Sequence, residues 1–94
     1  MNNFQKFDDL TVQTVWEKAK KVSGNDPGLF RKDICEAWIK RSSYGDREAK
    51  HGWEVDHIIP VSRGGSDNLS NLQPLHWKNN DAKGDGNLIC IVRN

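Results

Sequence analysis

A chain of 94 residues has room for one domain, and 14 basic against 13 acidic side chains leave a formal charge of +1. That balance excludes an inference of nucleic-acid binding from bulk charge, so any such partner has to be argued from where individual charges sit. The longest apolar run, LICIV at 88–92, is far too short to span a membrane, and the opening MNNFQKFDDL lacks the apolar core of a signal peptide.

In that context two cysteines far apart, Cys35 and Cys90, predict reduced thiols and a cytoplasmic location. So small a core draws on a metal, a partner subunit or close packing of the four tryptophans. A homodimer would suit that need, although no residue pattern asks for one.

In chain order, residues 11–23, TVQTVWEKAKKVS, place Val12, Val15, Trp16, Ala19 and Val22 on one stripe. This predicts an amphipathic helix with Thr11 as N-cap, Gly24 as stop, and Lys18, Lys20 and Lys21 in water. GNDPG at 24–28 is a turn. Residues 29–45 hold Phe30, Ile34, Trp38, Ile39 and Tyr44 without a clean period and read as a short strand or irregular segment, followed by a polar connector at 46–52. At 53–59 the apolar Trp53 and Val55 alternate with Glu54 and Asp56, the period of a half-buried strand. Pro60 and the Gly64–Gly65 pair end it, and a loop rich in Gly, Ser, Asp and Asn runs to about residue 71. LQPL at 72–75 reads as a second strand, HWKNNDAK at 76–83 as a short helix stopped at Gly84, and NLICIVRN as a last strand over the core.

Packing does not explain several polar residues in the C-terminal half. An acid and an imidazole, Asp56 and His57, sit side by side in a strand that Val and Thr would serve better. On the helix, His76, Asn80 and Lys83 share a face, and a hairpin packed on that helix brings Asp56 and His57 towards it. A carboxylate and an amide oxygen are hard ligands suited to magnesium or manganese. A histidine outside the metal shell takes a proton from water near neutral pH, and a lysine holds phosphate as a point charge. These are the parts of metal-assisted phosphodiester hydrolysis. One difficulty attaches to the set: adjacent strand residues point to opposite faces, so Asp56 and His57 serve one site only where the strand ends or distorts.

DH at 56–57, NL at 71–72 and NNDAKGD at 79–85, with the spacing from His57 to Asn71 to Asn80, resemble the HNH nucleases, which have the ββα-metal fold. The resemblance is strong over residues 53–85 and weaker at RKDICEAWIKRSSYG. It implies an α+β fold, a small ββα-metal domain with an antiparallel two-stranded hairpin and a short helix, joined here by an N-terminal packing helix in one domain over 1–94. It also implies an endonuclease that hydrolyses DNA to 5′-phosphate and 3′-hydroxyl ends. Carried over by position, His57 is the general base, Asp56 and Asn80 hold one Mg2+ or Mn2+, and Asn71 pins the loop that orients the histidine strand. Lys83 and His76 are candidate phosphate contacts; for His76, starting the helix or packing on Trp77 are equal alternatives. Many relatives carry a structural zinc on two pairs of cysteines. Here the matching positions hold Cys35, Trp38, His76 and Asn79, too few ligands for a closed site, so the expectation is no structural zinc, with packing of Trp38 in its place.

Simpler readings exist. His51, Arg31–Lys32 and Lys40–Arg41 are most simply solvated surface, although scattered cations also grip a DNA backbone. DAKGDGNLICIV imitates an EF-hand loop, but Lys83 and Val92 stand where oxygen ligands are needed. The rival function is a non-catalytic DNA-binding or scaffold module of the same fold, which would not need the base.

Overall fold

The structure, a computed structural model, describes residues 7–94. Helix α1 spans Asp9–Trp16 and is capped by Asp8, whose carboxylate accepts from the Thr11 N–H at 2.8 Å. The cap is therefore Asp8 rather than Thr11, because a carboxylate three residues upstream reaches the free amide first. The helix also ends seven residues before the expected Ser23. The buried guanidinium of Arg31 takes the carbonyls of Glu17, Ala19 and Pro27. Those bonds replace the helical partners of Glu17 and Ala19 and let Lys20 pair as strand backbone with Lys32. Arg31 is thus part of the fold rather than solvated surface. Lys18, expected in water, donates to the carbonyls of Leu69 and Leu72, and Lys20 pairs with Glu36.

Residues 29–45 form two strands where at most one was expected. β1 (Phe30–Lys32) and β2 (Trp38–Lys40) are antiparallel, joined through a tight turn with Glu36 at φ 65°. β3 (Trp53–His57) then pairs antiparallel with β4 (Leu72–His76), and α2 (Trp77–Lys83) follows at once. This is an α+β architecture with a hairpin and short helix in ββα order and α1 packed against β4.

Period two in β3 sorts its side chains. Trp53 and Val55 join Val12, Val15, Trp16, Ala19, Ile39 and Leu72 in the main core, with Trp16 and Trp53 in ring contact at 5.3 Å. Glu54 and Asp56 face α2, where Asn80 and Lys83 meet them.

The C-terminal segment is not a strand: residues 87–94 carry no regular structure. Cys90 is bonded to Cys35, against the expectation of free thiols, and the cytoplasmic reading loses that support. Asn79, fully buried, donates to Val92 O and Asp33 Oδ2, and accepts from the Ile91 and Val92 amides, so all four of its hydrogen-bonding positions are filled. Trp38, expected to pack in place of a zinc, lies outside the main core, edge-on to Phe30 and under the Lys32 ammonium. The corner is held instead by the disulfide, by Asn79 and by Asp33.

Candidate active site

β3 ends at His57, and one cleft of about 240 Å³ opens at that end between the strand and the last turn of α2. Asp56, His57 and Asn80 all line it, together with Gly84 and Asp85. The end of the strand is what lets two adjacent residues share one site.

Asp56 is buried, 5% exposed; its Oδ2 accepts from Gln73 Nε2 at 2.9 Å and its Oδ1 lies 3.3 Å from Lys83 Nζ. Gln73 is the residue opposite Asp56 in the register, so the hairpin itself supplies this partner. Asn80 donates from Nδ2 to Glu54 Oε1 at 2.8 Å, and among the described residues its side-chain oxygen accepts no hydrogen bond. Glu54 is 2% exposed and held in two parallel bonds by Arg47, at 2.8 and 2.9 Å. This pair orients Asn80, and sequence reasoning missed it. A signal was present: Glu54 and Asp56 are two acids on the same strand face.

Asn71 pins the loop. Its Oδ1 accepts from the Ile59 N–H at 2.8 Å, while its Nδ2 donates to Ile59 O at 3.0 Å and Ser66 O at 2.8 Å. Gly65 makes this closeness feasible, since a Cβ there would lie 1.7 Å from Ile59 O and 2.9 Å from Asn71 Nδ2. His57 places Nε2 2.6 Å from Asp67 Oδ1, with Phe7 against the ring at 6.0 Å.

The two expected phosphate contacts lie elsewhere. His76 is 2% exposed and N-caps α2: Nδ1 accepts from Lys78 N–H and Nε2 donates to Lys50 O at 2.8 Å, leaving no ring nitrogen for a substrate. Lys83 is buried too, donating to His57 O at 2.9 Å and paired with Asp56. It orients the Asp56–His57 segment rather than reaching outward, because the hairpin covers the helix face that carries it.

Residues 44–86, just under half of the chain, match the model of the HNH endonuclease family. Over this segment the chain is similar to HNH endonucleases. The match spans both strands of the β3–β4 hairpin, α2 and every residue lining the cleft. No curated protein and no solved structure matches the chain. An HNH domain points in general to nuclease activity on DNA and to a divalent metal. Among the described residues no helix is long and apolar enough to cross a membrane, and no three His, Cys, Asp or Glu side chains gather as metal ligands. Asp56 and Asn80 together contribute one such side chain.

Proposed function

We propose that this protein is a metal-dependent DNA endonuclease of low sequence specificity, with His57 as base, Asp56 and Asn80 as metal ligands and Asn71 as the loop pin. The observation that carries the reading is the single cleft into which β3 and α2 bring Asp56, His57 and Asn80.

The residues fit a hard cation. Asp56 oxygens keep lone pairs beyond their bonds to Gln73 and Lys83, and the Asn80 oxygen is unbonded. The cleft has room for several waters, at about 30 Å³ each, which magnesium retains when only two protein ligands bind it. When bound, such an ion stabilises charge on the phosphate and departing oxygen. His57 takes a proton from a water, whose oxygen bonds to phosphorus as the bond to the 3′ oxygen breaks; that oxygen leaves with a proton from solvent. The products are a 5′-phosphate and a 3′-hydroxyl. Lys83 and Gln73 hold Asp56 still, and Glu54 with Arg47 fixes Asn80, so the donor pair is set before substrate arrives.

The two carboxylates that β3 turns towards α2, Asp56 and Glu54, already have a cation beside them, Lys83 and Arg47. This compensated pair therefore offers a divalent ion little net charge, and the DNA phosphate adds to what it supplies. Manganese should bind more tightly with DNA present than without it. The Asp56→Asn variant should weaken that binding at least about tenfold, as disturbed metal sites commonly do. Asparagine is the variant of choice because alanine would strand the buried Lys83 ammonium. Manganese titration followed by electron paramagnetic resonance checks this; unchanged affinity in Asp56→Asn assigns the ligand elsewhere.

A further inference from the structure

The geometry points to Asp67 as a positioning residue for His57, an inference that rests on the nuclease reading above. The carboxylate Oδ1 of Asp67 lies 2.6 Å from His57 Nε2, the short distance of a charge-assisted bond. A carboxylate accepts only, so the ring donates from Nε2–H, and Nδ1 is left as the nitrogen that takes a proton.

An exposed aspartate in a Gly/Ser loop usually caps its own turn. Asp67 does not: among the described residues its side chain bonds to nothing but His57. The loop is instead braced on both sides of it. Asn71 Nδ2 holds the carbonyl of Ser66, one residue before, and the Asn68 amide, one residue after, donates to Ser66 Oγ at 3.2 Å. Gly65 N–H donates to Pro60 O at 2.9 Å and closes the base of the turn. The loop pin thus acts on the histidine through Asp67: Asn71 fixes the Ser66–Asp67 segment, and Asp67 fixes the ring and its tautomer. His57 is only half-buried and Phe7 touches one side of it, so without the carboxylate the ring is free to turn. Because Asp67 is 76% exposed at its side chain, the effect is far smaller than that of a buried aspartate behind a catalytic histidine.

Two readouts test this, one of them independent of cleavage. In long-range proton–nitrogen spectra of the full chain under mildly alkaline conditions, with His57 assigned by comparison with His57→Ala, the parent should show a slowly exchanging Nε2–H proton on His57. Asp67→Ala should lose that signal, and Asp67→Asn, whose side-chain oxygen still accepts, should keep it. In cleavage assays Asp67→Ala should lower kcat about tenfold with KM for DNA and the thermal midpoint unchanged, and Asp67→Asn should restore most of the rate. A His57 ring whose spectrum is the same in parent and Asp67→Ala overturns the inference, whatever the activity. If the spectrum changes as expected while the parent itself does not cut DNA, the positioning holds and the nuclease reading fails.

Discussion

His57→Ala should lower the rate of DNA cleavage by about 10²–10⁴-fold, the usual contribution of a positioned general base, and leave the fold in place. The structure separates these two effects. His57 is the last residue of β3, its side chain is 22% exposed, and among the described residues that side chain has one hydrogen-bond partner, the exposed carboxylate of Asp67. Removing the ring leaves no buried donor or acceptor unpaired, so the thermal midpoint should stay close to that of the parent. The backbone carbonyl of His57, which holds Lys83, survives the substitution. DNA affinity should also hold, since phosphate contacts rather than the base dominate it. Cleavage kinetics measured beside a thermal melt make the comparison. A variant that unfolds, or that cuts at the parent rate, makes the imidazole a packing residue and removes the base from the mechanism.

The second large effect lies at the opposite end of the hairpin. Asp33, 2% exposed, accepts four hydrogen bonds through one carboxylate: from the amides of Cys35, Ala37 and His76 at 2.9 Å each and from Asn79 Nδ2 at 3.2 Å. Two donors come from the β1–β2 turn and two from the junction of β4 with α2, so this side chain joins the first hairpin to the ββα unit. At this corner the Asp33 carboxylate gathers amides from both units. Asp33→Ala takes the shared acceptor from three backbone amides and from one N–H of Asn79, at about 1–3 kcal/mol for each donor left buried and unpaired. Against a typical total stability of about 5–15 kcal/mol, this should lower the midpoint by tens of degrees or leave no folded state. Circular dichroism melts of the two proteins decide it. A midpoint within a few degrees of the parent would mean that waters or a backbone shift replace the carboxylate, and Asp33 would lose its central place in the fold.

The candidate site was legible because its chemistry conflicts with packing. Asp56 and His57 break an apolar strand pattern, and their spacing to Asn71 and Asn80 carries the family pattern that residues 44–86 match. β3, β4 and α2 were legible from period and punctuation alone. What escaped depends on contacts made across the fold. Asp33 and Asp67 stand in RKDIC and GGSDN, where an aspartate reads as ordinary turn chemistry, and only the folded chain shows that each points at a distant element. α1 was drawn too long because its apolar stripe continues to Val22, while Arg31, many residues later, claims the carbonyls that would have extended it. NLICIVRN has strand composition, yet Asn79 and the disulfide hold it as an irregular strap. His76 and Lys83 were read from their helix face as outward contacts, and the hairpin buries that face.

The central claim, hydrolysis of DNA by metal-assisted attack of water, is tested most directly by relaxation of supercoiled plasmid with magnesium, with manganese and with chelator, followed by DNA ligase. Nicks should form only with the divalent ion and should be resealed by ligase, because each carries a 5′-phosphate and a 3′-hydroxyl. Nicks that form equally in chelator, nicks that ligase leaves open, or intact plasmid across the whole metal titration with folded protein would contradict the claim.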